Sequence, residues 1–147
     1  MKNLKNILIS AVLFLVVSQI VHQLFAFAGM GYYTDPAYAG VWSKIMMPGP
    51  GAPPAEFYYL SIAVGFITAL IYVVVYNKIR AAIPGKTLMN KGLNYGLWII
   101  FILGTVPGYL AMYLLINLPA GLVALWAAES LVIALVGGIV IAKFNSG

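Results

Sequence analysis

The sequence predicts an all-α membrane protein, a polytopic four-helix bundle with both termini on the same side. Three observations predict it. Hydrophobic residues make up 63% of the 147 residues and charged residues only 7%, against roughly 25% charged in an ordinary soluble domain. Four apolar segments without Lys or Arg, at about residues 7–29, 57–76, 93–116 and 119–142, match the ~20 residues that cross a ~30 Å hydrocarbon layer. Seven of the eight basic residues fall on one side of those segments. The length fits a single transmembrane domain, 1–147, and leaves no room for a second soluble one.

The first helix follows Lys2 and Lys5, and Ala26-Phe27-Ala28 has the small-x-small form of a signal-peptide cleavage site. The apolar tract from Ile7 is longer than the apolar region of a signal peptide, however. It also carries Ser18, Gln19, His22 and Gln23, polar residues that suit a helix packed against others, so a retained helix is expected. In the loop that follows, Asp35 before Pro36 reads as an N-cap and first helical position. That predicts a short helix from Pro36 to about Met47, ended by Pro48-Gly49-Pro50-Gly51-Ala52-Pro53-Pro54. Tyr32, Tyr33, Tyr38 and Trp42 flank or lie on it. Rings with polar tips favour the headgroup layer, so the segment is expected along the outer membrane surface or as a cap on the bundle.

Between the second and third helices stand Lys78, Arg80, Lys86 and Lys91, with Pro84-Gly85 as a turn pair. Pro84-Gly85-Lys86-Thr87 has the form of a phosphate-loop tail, but Arg80 occupies the place of its first glycine and no strand precedes it. Asn117-Leu118 is nearly the whole connection between the last two helices and forces an antiparallel hairpin. The basic residues set the orientation. Lys2, Lys5, the middle loop and Lys143 share one side, whereas Lys44 lies opposite with Asp35 and Glu56. The positive-inside rule then places both termini in the cytoplasm, in a plasma membrane of the bacterial inner-membrane kind.

Small residues recur every four positions: Ser61, Gly65 and Ala69; Gly92 and Gly96; Gly104 and Gly108; Ala124 and Ala128. In lipid such faces let helix backbones approach closely, within one chain or between chains. Pro107, between Gly104 and Gly108, removes a helical hydrogen bond and predicts a kink, which serves as a static bend or a hinge.

Glu129 is the most informative residue. A carboxylate near a helix centre costs roughly 2.5–3.5 kcal/mol to insert, so it is expected to face the bundle or a cavity. A rise of ~1.5 Å per residue puts His22 and Glu129 within about one turn of each other in depth if their helices run antiparallel. With Ser18 and Gln19 they make a candidate ligand or proton site, or else polar contacts that join helices.

Several function classes are excluded. Without cysteine there is no disulfide, thiol chemistry or iron–sulfur cluster. One histidine and three scattered acids make no metal site, and haem would need paired ligands across the core. No cofactor is expected. The net charge of +5 is topological rather than a nucleic-acid face. No catalytic set can be assembled.

The hydropathy plan, the Trp42-containing loop and the glycine-rich run Lys91-Gly92-Leu93-Asn94-Tyr95-Gly96 resemble small four-helix bacterial membrane-protein families of unknown function. That likeness implies a layout and no site residues. The first expectation is therefore a small non-catalytic membrane protein, a homo-oligomer or an accessory subunit of a membrane complex. The alternatives are a proton-coupled transporter or small-molecule channel using Glu129 and His22, and a lipid- or quinone-binding protein. Membrane lipid is the expected surrounding in each case.

Overall fold

Leucine, isoleucine, valine and alanine dominate each apolar segment, and in lipid a backbone must satisfy its own polar groups, which a helix does. The computed structural model describes residues 2–49 and 52–145, and shows this arrangement without any strand among them. In chain order come α1 (Lys2–Ala28), α2 (Met30–Thr34), a 3₁₀ turn (Pro36–Tyr38), α3 (Ala55–Ile79), α4 (Leu88–Asn94), a π-helical segment (Tyr95–Leu103), α5 (Val106–Leu115) and α6 (Ala120–Phe144). Four stretches are long and apolar enough to cross a membrane: Leu4–Ala28, Ala55–Ile79, Leu88–Leu115 and Ala120–Phe144. The helices extend past the apolar tracts into their polar flanks. Glu56 lies in the first turn of α3 and Lys78 in its last, each at the helix end that its charge favours.

The expected helix from Pro36 to Met47 is not formed. Asp35 caps as anticipated, its Oδ1 accepting from Ala37 N at 2.9 Å, but only the 3₁₀ turn Pro36–Tyr38 follows. Gly40 comes next, and Ser43 then draws the chain into a turn of its own. Its Oγ and carbonyl both accept from Met46 N, at 3.2 Å and 3.0 Å. Serine hydroxyls compete with helix formation in this way. Pro48 and Gly49 form a bend; Pro50 and Gly51 of the same breaker run lie outside the described residues.

The third span also departs from a single kinked helix. It is α4, nine residues of π-helix and α5, joined through Gly104 and Thr105. Gly104 N donates to Ile99 O at 3.1 Å, the wider i→i−5 spacing, and Thr105 Oγ1 donates to Ile100 O at 2.8 Å. Pro107 therefore sits in the first turn of α5, where its missing N–H costs little.

α6 is the central helix. It packs against α1, α4 and the π segment, while α1 lies between α6 and α3. α3 touches α6 at few points. The end carrying the termini (the terminal end) is tightly packed. Ala11 and Phe14 of α1, Ala69, Val73 and Tyr76 of α3, Tyr95 and Ile100, and Ala134, Ile141 and Ala142 of α6 form one buried core there. Toward the end carrying the long loop (the loop end) α3 and α5 part from the rest, whereas α1 and α6 stay together, with Gly29 against Leu125 and Leu122 buried. From Ala55 to Val64, α3 is exposed except at Phe57 and Ser61, and α5 has no buried residue. In a bundle whose helices are apolar all round, such uneven packing is a feature of shape rather than of amphipathic pattern.

The tight end rests on glycine. A Cβ on Gly92 would lie 2.6 Å from Ile139 Cα, and one on Gly96 would lie 2.8 Å from the carbonyl carbon of Ala134. Gly138 faces both, and Gly137 receives the Phe14 ring. Ala134, Gly138 and Ile139 thus line the α6 side of a backbone-to-backbone contact. Ala124 and Ala128 are exposed on the same helix and take no part in it.

A polar knot closes the terminal end. Asn145 Nδ2 donates to Ser10 Oγ at 2.7 Å, and its Oδ1 accepts from Asn77 Nδ2 at 3.0 Å. Its carbonyl accepts from Arg80 Nη1 at 2.9 Å. Each partner removes an unmet polar group from an otherwise apolar packing region.

Candidate functional site

α1 and α6 run antiparallel, so their residues pair in reverse order: Ser10 with Asn145, Phe14 with Gly137, and His22 with Glu129. The closeness of these helices brings together two residues 107 positions apart. His22 Nδ1 lies 2.8 Å from Glu129 Oε1. One proton lies between them, donated by whichever atom holds it. The Glu129 side chain is 10% exposed and the His22 side chain 45%. The carboxylate is thus the enclosed partner, and the imidazole is open to what surrounds it.

The pair stands beside a cavity of about 280 Å³ bounded by Ser18, Gln19 and His22 of α1, Ser61, Val64 and Gly65 of α3, and Glu129 and Ile133 of α6. A second cavity of about 200 Å³ shares Ser18, Gly65 and Ile133 with it and runs deeper, between Phe14, Thr68, Tyr72, Ile100, Thr105 and Ser130. The two form a cleft whose floor is α1 and whose walls are α3 on one side and α6 with the third span on the other. It exists because α3 parts from α6 above the tight core.

The structure groups some of the residues singled out in the sequence and disperses others. His22, Gln19, Ser18 and Glu129 are neighbours on the cleft, joined there by Ser61 and Gly65. Ser18 Oγ also donates to its own helix at Leu15 O, 2.8 Å. Ala69 is buried below in the core, and Gly92 of α4 and Gly96 of the π segment hold the contact with α6. Gly104 ends the π segment, with Tyr72 Oη 3.4 Å from where a Cβ would stand. Gly108 faces open space and Pro107 is exposed. Thr68, Thr105 and Ser130 were not singled out in the sequence. Ser130 carried one available signal, its place beside Glu129; its Oγ is 2.6 Å from Tyr109 Oη. The threonines carried none, because single hydroxyls are common on membrane helices.

Aromatic groups from the long loop cover the loop end of α6. Trp126, one turn before Glu129, donates from Nε1 to Tyr33 Oη at 2.7 Å. Trp42 packs on both rings, with centroids 5.2 Å from Tyr33 and 6.3 Å from Trp126. Burial pushes the Tyr33 phenol above its ordinary range, and the nearby Glu129 charge adds to this, against the opposing Trp126 hydrogen bond. Trp42 Nε1 is itself buried without a hydrogen-bond partner among the described residues. No group of three or more His, Asp or Glu side chains that could hold a metal ion occurs among the described residues.

The arrangement is a carboxylate–imidazole pair between two helices long and apolar enough to cross a membrane, opening on a cleft lined by hydroxyls. It can hold and release a proton and can present acceptors to a small solute. Comparison with protein-family models, with curated proteins and with solved structures returns no match to this chain, so the reading of the site rests on its geometry.

Proposed function

We propose that this chain is a small proton-coupled carrier of a polar solute, with His22 and Glu129 as the place where proton and solute compete. The observation that carries the reading is the 2.8 Å contact between these side chains at the rim of the cleft. A pair serving only to join helices would be sealed on both sides, whereas the imidazole here is nearly half open. An ionisable group in a span is costly to insert and is retained where a pathway needs it.

The bias of basic residues supports termini and middle loop in the cytoplasm. The cleft then lies toward the outer face, and the Tyr33–Trp42 loop lies at the outer headgroup layer. The protein would be multi-pass in a plasma membrane. The test uses proteoliposomes with a trapped pH dye and a panel of amines, amino acids and sugars. At least one solute is expected to drive proton movement, with Glu129→Gln abolishing it while assembling normally. Equal proton movement by the variant would end the reading.

A second reading, a non-catalytic homo-oligomer or accessory subunit, is favoured by the loop-end half of α3, which packs on almost nothing in its own chain. Native mass spectrometry of gently extracted protein is the test. A second copy or a stoichiometric subunit supports it, and a partnerless monomer counts against it. A retained lipid or quinone in the same spectra would instead support a lipid-binding role for the cleft.

A further inference from the structure

The carrier reading leaves the solute open, and the chemistry of the cleft narrows it. Glu129 is the only acid among the described lining residues and His22 the only base, with no lysine or arginine among them. The pair holding one net proton is neutral. An anion entering beside it would face a carboxylate in a medium of low dielectric, where like charges repel strongly. A cation would instead replace the proton one for one and leave the site neutral.

The rest of the lining gives the cation a shape. Hydroxyls of Ser18, Ser61, Thr68, Thr105 and Ser130 are acceptors for N–H groups. They are spread over several helices and divided between the two cavities, Ser61 in one and Thr68, Thr105 and Ser130 in the other, unlike the single cluster of oxygens that a bare metal ion takes. The cavities, about 280 Å³ and about 200 Å³, also have room for an organic body. Val64, Ile133, Ile100 and Phe14 supply apolar wall for it. At the deep end Phe14 and Tyr72 pack with ring centroids 5.7 Å apart, and aromatic faces attract ammonium groups and alkyl chains alike.

We propose, resting on the carrier reading, that the solute is a small alkylammonium that takes the Glu129 carboxylate from His22. In the exchange R–NH3⁺ enters, forms the ion pair with Glu129, and the proton shared by the pair leaves from His22. One positive charge arrives and one departs, and no covalent bond changes. Two phenols also stand near Glu129 on α6: Tyr33 of α2, bonded to Trp126, and Tyr109 of α5, bonded to Ser130. α3 brings Ser61, Val64 and Gly65 to the pair and no ionisable side chain, and α1 brings none besides His22. The proton that leaves in the exchange is therefore that of the pair.

The experiment is isothermal titration of the intact protein in lipid nanodiscs with butylammonium chloride, and separately with sodium butyrate and butanol. Each titration is run between pH 6 and pH 8 in two buffers of different ionisation enthalpy. Butylammonium is expected to give saturable one-to-one heat with about one proton released. Its Kd should fall about tenfold per pH unit while the pair is protonated. Glu129→Gln is expected to weaken it more than about tenfold, since the charge partner is gone. If that variant does not fold, the wild-type comparison decides alone. Butyrate or butanol binding as tightly as the amine overturns the assignment, as does the absence of saturable amine heat. Proton-coupled flux of an uncharged solute with no amine binding would refute this inference and leave the carrier reading standing. Amine binding without flux would do the reverse.

Discussion

Replacing Gly96 by alanine puts the tight end of the bundle to a quantitative test. The added Cβ would stand 2.8 Å from the carbonyl carbon of Ala134 and closer still to its oxygen. Both are backbone atoms, so no rotamer change relieves the clash. Reaching the 3.4 Å of ordinary van der Waals contact from that oxygen requires the backbones to part by more than an ångström. Gly92 and Gly138 share the same seam, so that movement loosens all three contacts together. A gap of ~0.5–1 Å forfeits roughly a quarter to a half of a dispersion contact, and packing is the main attraction between helices in lipid. The expected cost is about 2–3 kcal/mol, at the upper end for an overpacked site. Gly108→Ala is the control, since a Cβ there meets nothing within 4 Å. It should gain about 0.5–1 kcal/mol from helix propensity and chain entropy. Reversible unfolding by SDS in mixed micelles, followed by circular dichroism, measures both. If the two variants agree within about 0.5 kcal/mol, the close backbone approach of the π segment and α6 at Gly96 is refuted.

Two further outcomes follow from the ends of the molecule. Asn145→Ala removes a side chain that satisfies both Ser10 and Asn77 and should destabilise the protein by about 1–3 kcal/mol in the same assay; an unchanged midpoint would show that the knot contributes nothing. At the loop end, Tyr33 resists ionisation because burial disfavours its anion. Its folded pKa is raised, so its contribution to loop docking is complete below the ordinary value of 10.0 and is lost as pH rises through the raised value. Trp126 fluorescence in the wild type should therefore stay constant up to about pH 10 and change above it. Tyr33→Phe, which cannot ionise, should remove the change, and its persistence in the variant would place the transition elsewhere.

The local part of the fold was open to reading. Four apolar tracts, the helix-free link at Pro84-Gly85 and Asp35 as a cap are all properties of short windows. Gly85 shows why: its φ of +140° is the sole positive value among the described residues, and a Cβ there would lie 2.7 Å from Lys91 N. Where competing local signals were present, the reading went astray. Asp35-Pro36 starts a helix, but Gly40 and Ser43 stop it within a turn. Pro107 predicted a kink, and the third span does break in the turn before it, at Gly104 and Thr105; what went unread is the nine residues of wider helix leading up to the break. Nothing in Tyr95–Leu103 distinguishes π from α by composition, because the difference is in how the backbone bonds are paired.

The sequence by itself determined the helical class and the number of segments able to cross a membrane. In lipid each backbone must satisfy its hydrogen bonds locally, so the requirement is written segment by segment. Which faces meet was decided only in three dimensions. Ala124 and Ala128 have the same spacing as Ala134 and Gly138, yet the first pair is exposed and the second is buried. Spacing cannot separate them when a helix is apolar all round, since no polar face marks the outside. The contact between His22 and Glu129 has the same origin. It depends on α1 and α6 fitting together through Phe14 and Gly137, a match of shapes between distant parts of the chain that neither segment carries alone.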